Sequence, residues 1–478
     1  MRTKIRFRGT VSLMSLGVLA GMNVACEATP RTSETEEAWK SSLDQRVYAD
    51  KDQDSQGESP LVIKQEIVHN NEESSPPDQP KPMLARIESG VVVERLQIPA
   101  EPLEFEKPDS VRGIYINAWA AGSSTRSQHL IDLANRTEVN TFVIDIKDAS
   151  GYVSHPTRVE VAQEIGADQQ IRITDLLSLL DRLHENGIYP IARIVVVKDP
   201  LLTASKPEVA IQDTAGGVWI DEKGVSWANL YEGLVWDYHL ELAQEMIAIG
   251  FPEIQWDYIR FPDSPLEHLE RAVFTNSEGK TKSEAVSGFL DYISAGTEDY
   301  QVDITADVFG ATTSLNYDLG IGQLWEEVVS RVDVILPMVY PSHYWSGSFD
   351  IEEPNNHPYE VVKSALSDGL ERVEKLGSVG SIRPWLQDFT LGDPPYGSAE
   401  IRAQIQATYD VGINEWILWN ASSRYTEEAL FPAEGFPDGF KPEPMIRING
   451  VVLPLSEHLK ERHESDSIIQ DDTLSRPR

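Results

Sequence analysis

Three observations predict an α/β fold closed as an eight-stranded parallel barrel. Eight apolar runs follow Ser110, amphipathic stretches ending in glycine lie between them, and no glycine-rich phosphate turn follows the first run. The runs are RGIYINAW, TFVIDIKD, YPIARIVVV, EIQWDYIRF, VDITADVFG, VDVILPMVY, SIRPWLQDF and NEWILWNAS. Runs of this apolar content read as strands buried on both faces, as parallel strands are. Alternation of such strands with helices gives βα units, and eight units make a TIM barrel of ordinary size.

The helices between them follow from spacing. Leu176, Leu179, Leu180 and Leu183 share one face and stop at Gly187; Val235, Tyr238, Leu242, Met246 and Ile249 do the same before Gly250. Val362, Leu366, Val373 and Leu376 precede Gly377, and Ile401 with Ile405 precedes Gly412. A doubly wound open sheet is the competing architecture, but the first strand leads into AAGSSTRS rather than a phosphate-binding turn. The longest interruption, Lys198 to Leu234, carries Trp219, Trp227 and Tyr231, with Trp236 just beyond, and is expected to arch over the barrel mouth.

Four segments are expected. Residues 1–26 have Arg2, Lys4, Arg6 and Arg8 before the apolar stretch Val11 to Ala25, the layout of a secretory signal peptide. Cys26, the only cysteine, stands where a lipoprotein acceptor would and offers a membrane tether; Asn23 replaces the usual Leu, so ordinary cleavage, for instance after Ala28, is the alternative. Residues 27–108 are acidic and rich in Ser, Gln and Pro, and read as a flexible linker, with GVVVERLQI as a candidate edge strand within it. The barrel occupies 109–435, and 436–478 forms a polar peripheral tail. The expected location is exported: periplasmic, envelope-anchored or secreted.

At 478 residues the chain can bury one large core of the barrel class or two ordinary domains, and composition alone does not choose. Asp and Glu number 77 against 41 Lys and Arg, and a net charge of −36 repels polyanions, which argues against a nucleic-acid partner. Solubility, or adaptation to salt, accounts for the same acidity without a function.

Alternation along the fourth strand puts Gln255 and Asp257 on the face that looks into the barrel. The same parity brings in Tyr115, Asn117 and Trp119; Asp145 and Lys147; Arg193; Thr305 and Asp307; Met338 and Tyr340; Arg383, Trp385 and Gln387; Glu415 and Trp419. A core built only to pack would use Val, Ile and Leu. Asp145 with Lys147, or Glu415 with Arg193, would be satisfied as buried ion pairs early in their strands. Asp257 and Asp307 sit nearer the strand ends, where barrel chemistry is placed, with Asp148 as the next carboxylate in line. Arg260 is expected to pair with a carboxylate, and Trp119, Tyr340, Trp385 and Trp419 suit stacking on flat rings. No H-x-H pair marks a strand end and no G-x-S-x-G elbow is present, so neither a metal nor another cofactor is expected.

RGIYINAW, FVIDIKDASG, GFPEIQWDYIRFP and VDVILPMVYPSHY, between about Val111 and Ser422, resemble the bacterial glycosyl hydrolase domain family long catalogued as a domain of unknown function. The resemblance implies a TIM barrel distantly related to amylase-like and chitinase-like hydrolases. Met338, Tyr340 and Trp419 match the chitinase-like Met-x-Tyr and strand-eight Trp, but the D-x-x-D-x-D-x-E pattern is absent, and only Asp257 stands at strand four. The amylase-like arrangement would make Asp257 the nucleophile and Asp307 the acid. The expected function is hydrolysis of O-glycosidic bonds in an envelope or environmental polysaccharide or oligosaccharide. Asp257 and Asp307 would be catalytic, with Tyr115, Asn117, Trp119, Asp145, Lys147, Arg260, Tyr340, Trp385 and Trp419 binding substrate. The alternative is a non-catalytic glycan-binding envelope protein on the same fold.

Overall fold

The structure is a computed structural model that describes residues 95–377, 379–433, 445–448 and 451–454. The expected signal peptide (1–26) and most of the expected linker (27–108) lie outside the described residues. Eight parallel strands close on themselves: β1 (Arg112–Ile116), β2 (Thr141–Lys147), β3 (Tyr189–Val195), β4 (Glu253–Asp257), β5 (Asp303–Phe309), β6 (Val334–Met338), β7 in two pieces (Ser381–Ile382 and Trp385–Gln387) and β8 (Trp416–Trp419). Arg112 to Ile114 lie beside Trp416 to Leu418, which seals the barrel between β8 and β1. The eight runs read from sequence are these eight strands.

β7 is split by its own sequence. Pro384 has no N–H for the ladder, so Ser381 and Ile382 pair with β6 below the break and Trp385 rejoins it at Met338 above.

Helices wrap the barrel, among them α1 (Ser124–Arg136), α2 (Leu176–Glu185), α3 (Gly233–Ala248), α4 (Lys282–Thr297), α5 (Trp325–Val329), α6 (Pro358–Leu376) and α7 (Ser398–Asp410). The leucine face of α2 is fully buried, as its spacing predicts, and so is the Val235 to Met246 face of α3. Gly250 follows α3 at φ 107°, a conformation that L side chains rarely adopt. Among the described residues no α-helix follows β8; a 3-10 turn at Glu427–Ala429 stands there instead, and Phe431 donates its N–H to Glu138 on the next unit.

Apolar residues divide into two bodies. The larger fills the annulus between strands and helices. The smaller, which includes Tyr115, Val143, Ile191, Leu336, Tyr340 and Trp385, fills the barrel interior. At the N-terminal ends of the strands the interior is plugged by Arg383, which donates to Glu253 at 2.6 Å and to Glu415 at 2.9 Å. Both Arg383 and Glu253 are wholly buried. The carboxylate of Glu415 therefore serves the floor and does not pair with Arg193, because the two lie in different layers.

Residues 95–108 run along the barrel in extended conformation: Leu96 is buried, its N–H donates to the Pro156 carbonyl at 2.8 Å, and Phe105 packs edge-on to His184. The described part of GVVVERLQI forms no strand. The long segment after β3 is folded onto the segment after β4, with Gln212–Asp213 antiparallel to Ala272–Val273. Trp219 and Trp227 are buried there, donating their indole N–H groups to the His268 carbonyl and to Asp221. In the tail, Met445–Ile448 and Val451–Pro454 pair as an antiparallel hairpin.

Candidate active site

β1, β2, β3, β4, β5, β7 and β8 send polar or aromatic side chains to a single cluster at the C-terminal end of the barrel, two of them, Gln255 and Asp257, from β4, and this is the end where barrel enzymes keep their chemistry. Arg193 is its hub. The guanidinium donates through Nη1 to Asp145 and through Nη2 to Asp257, and its Nε lies 3.2 Å from Asp257 Oδ2 and 3.9 Å from Asp307 Oδ2. One nitrogen thus reaches both expected catalytic carboxylates, which point to the same end of the barrel. Three carboxylates face one cation in a site closed to water, an arrangement that favours retention of a proton.

That proton belongs most naturally on Asp307. Burial, and then the neighbouring charge of Asp257, push its carboxyl well above the ordinary range, against Arg193 and two hydrogen bonds that pull the other way. Those bonds come from Trp385 Nε1 at 2.7 Å and Gln255 Nε2 at 2.9 and 3.0 Å. Asp257 is held differently: Oδ2 takes the Arg193 bonds and Oδ1 accepts the Tyr258 N–H at 2.6 Å. Two adjacent carboxyls in unlike surroundings are the arrangement in which one serves as acid while the other serves as acceptor.

The bond to Oδ1 requires a strained backbone. Tyr258 has φ 53°, the left-handed region that a bulky residue enters at a cost of about 1–3 kcal/mol. Two cations lie against the ring, the Arg260 guanidinium 4.8 Å and the Lys198 ammonium 5.2 Å from its centroid. Arg260 also lies over Trp227 and Phe309 and donates to Asp263 at 2.9 Å, so its expected carboxylate partner is Asp263.

Aromatic walls complete the site. Tyr115 stacks on Trp419 at 4.1 Å between centroids, Trp419 meets Trp385 edge-on at 5.5 Å, and Arg193 covers both Tyr115 and Trp419. Tyr115 donates its hydroxyl to Asp145. Asp145 is pushed up to about 6, burial outweighing the lowering by Arg193. Tyr340 is buried near the pair: burial, and then the charges of Asp307 and Asp257, push its phenol well above its usual value.

Besides Arg260, which pairs with Asp263, three expected binding residues are placed outside the cluster. Lys147 does not pair with Asp145. The register of β2 against β3 shifts between these two residues, and the bulge turns Lys147 into a wholly buried ion pair with Asp199 at 2.9 Å, with a further bond to the Val195 carbonyl at 2.7 Å. Asn117 lies past the end of β1, where its Oδ1 caps the Ala118–Gly122 helix through Ala120 N–H and its Nδ2 donates to the Ala421 carbonyl. Trp119 stands on that short helix at the rim, 62% exposed, and does not line the interior. Asp148, the reserve carboxylate, binds Arg172 at 2.5 Å outside the central cluster.

Residue by residue, the structure brings together Asp257, Asp307, Asp145, Tyr115, Tyr340, Trp385 and Trp419. Strand parity already turns Arg193 inward, but its place as the link between the carboxylates needs the registers of β2, β3, β4 and β5 together. The contribution of Gln255 was open to the same reasoning; the strained turn at Tyr258 had no sequence signal.

A family model described as "Putative glycosyl hydrolase domain" matches residues 113–425. No curated protein matches the chain. Among solved structures, a hypothetical protein from Ruminiclostridium thermocellum is 39% identical over 41% of this chain and 97% of its own, with a TM-score of 0.37. The PgaB (BpsB) glycoside hydrolase domain from Bordetella bronchiseptica is 11% identical over 66% of this chain and 95% of its own, TM-score 0.46. The α-galactosidase TtGalA from Thermus thermophilus is 12% identical over 74% of this chain and 68% of its own, TM-score 0.41.

Proposed function

The chain belongs to the glycosyl hydrolase domain family, and we propose that it cleaves an O-glycosidic bond of an envelope or environmental polysaccharide with Asp307 as general acid/base and Asp257 as nucleophile or charge stabiliser. The observation that carries this reading is the single guanidinium, Arg193, that reaches both carboxyls while burial and the Asp257 charge favour protonation of Asp307.

In the first step the bond from C1 to the leaving oxygen breaks, and Asp307 transfers its proton to that oxygen. Positive charge developing at C1 is met by Asp257. In a retaining sequence Asp257 bonds to C1, and water, deprotonated by Asp307, later displaces it; in an inverting one, Asp257 takes the proton of a water that attacks C1 directly. A separation of about 5–5.5 Å between the working carboxyls belongs to retention and one of about 6.5–9.5 Å to inversion. Arg193 fixes Asp257 within the site, and Trp385 and Gln255 fix Asp307. Trp419, partly exposed and backed by the buried Tyr115, is the ring available to a sugar. Export, and a tether through Cys26, complete the reading and rest on the N-terminal sequence alone.

The test is a screen of the purified protein against peptidoglycan, α-glucans, chitin and galactosaminoglycans, beside Asp257→Asn. Turnover of one glycan by the parent and its loss in the variant support the reading. Binding without cleavage by the parent, unchanged in the variant, overturns it in favour of a non-catalytic glycan-binding protein.

A further inference from the structure

Trp119 and the loop after β2 are used by nothing in the chemistry above, yet they form an organised platform. The Arg172 guanidinium lies 5.2 Å from the Trp119 ring centroid and 5.5 Å from that of Tyr152, so one cation is held against two rings from different loops. It is also locked in the plane: Nη1 binds Asp148 at 2.5 Å and Nη2 binds Ser150 Oγ at 3.3 Å. The loops cannot drift apart easily. Arg172 donates its backbone N–H to the Ser154 carbonyl at 2.9 Å, and a Cβ placed on Gly122 would stand 1.7 Å from the Arg172 carbonyl oxygen, so the helix carrying Trp119 meets this loop backbone to backbone. From the other side Asn117, which caps that helix, is bonded to the loop after β8. Trp119 is therefore a preorganised, exposed aromatic face, on the same end of the barrel as the carboxylates.

We propose that Trp119, backed by Arg172 and Tyr152, is an outer subsite that stacks on the apolar face of an uncharged pyranose ring belonging to the same glycan chain that reaches Asp257. The reading rests on the hydrolase function above and deepens it by naming the substrate class. The charge pattern selects the class. Arg172 is already neutralised by Asp148, so the platform offers an anionic sugar no unpaired cation, and a uronate laid on it would approach Asp148. A neutral ring makes the same C–H contacts with the indole at no electrostatic cost.

The experiment measures affinity by calorimetry for ladders of two to six residues of β-1,4-linked N-acetylglucosamine, α-1,4-linked glucose and, as the charged comparator, α-1,4-linked galacturonate. It uses the Asp257→Asn background to prevent cleavage, with KM in the parent background as a second readout and thermal melts to confirm folding. In one neutral ladder affinity rises with length, Trp119→Ala removes roughly five- to tenfold at the hexamer, and Trp119→Phe restores most of it. A hexamer bound equally by Trp119→Ala and its background, no gain with length, or tighter binding of galacturonate than of either neutral ladder overturns the subsite while leaving the hydrolase reading standing. Binding of no neutral ladder also overturns the subsite, whereas the hydrolase reading falls only if the wider glycan screen above finds no turnover.

Discussion

Replacing Arg193 with Met removes the cation that, among the described residues, faces Asp145, Asp257 and Asp307 together. The side chain is only 5% exposed, and its carboxylate partners are 3% and 9% exposed, so water cannot take over its role. Breaking a buried pair by removing one member costs about 3–5 kcal/mol, and here two bonded carboxylates lose their partner at once. The loss depends on pH with a definite sign. Folded Asp145, pushed up to about 6, holds a proton that the unfolded chain has released, so it withdraws stability as pH rises through the window between the ordinary carboxylate value and 6. Arg193 lowers that pKa, and its removal carries the window to higher pH. Between pH 6 and pH 8 the parent site is then less protonated than that of the variant. The variant's deficit therefore grows by up to about 1.4 kcal/mol for each pH unit of rise. Urea denaturation followed by tryptophan fluorescence at pH 8 and pH 6 reads both quantities. A deficit under about 1 kcal/mol, or one that does not shrink on acidification, would refute the buried three-carboxylate cluster.

Trp385→Phe keeps an aromatic ring but deletes one of the donors that lower the pKa of Asp307; the carboxyl rises further, and the alkaline limb of kcat/KM moves to higher pH, read from a pH–rate profile in which an unmoved or lowered limb would contradict the assignment. Lys147→Met leaves Asp199 buried without a counter-charge, and chemical denaturation should show a loss of about 3–5 kcal/mol; a variant within 1 kcal/mol of the parent would remove the pair from the account. Gly122→Ala forces a methyl group against the Arg172 carbonyl, and thermal unfolding should report a loss of about 3 kcal/mol, with an unchanged melting temperature contradicting the close packing of the two loops.

The barrel was legible because its signals are local and repeated. Parallel strands buried on both faces read as continuous apolar runs, and glycines close several helices, as at Gly187 and Gly250. The inward carboxylates followed from parity alone. Parity fails where the backbone leaves the strand: the bulge that turns Lys147 outward and the end of β1 before Asn117 depend on pairing between distant segments, which alternation along one strand does not encode. Depth within the barrel was equally hidden. Arg383 and Trp385 are two residues apart on one inward face, yet the first joins the floor and the second touches Asp307, because each reaches a different partner on either side of the Pro384 break. The long segment after β3 read as an open loop because its partner, the segment after β4, lies far along the chain.

The central claim assigns unlike roles to Asp257 and Asp307, and kcat/KM of Asp257→Asn and Asp307→Asn on two substrates separates them. One substrate is the glycan identified by screening; the other is a dinitrophenyl glycoside of the same sugar, whose leaving group needs no proton. The account predicts that Asp307→Asn loses about 10²–10⁴-fold on the glycan but much less on the aryl glycoside, while Asp257→Asn loses both. Turnover of either substrate by Asp257→Asn at the parent rate, or equal losses on both substrates in Asp307→Asn, would contradict it.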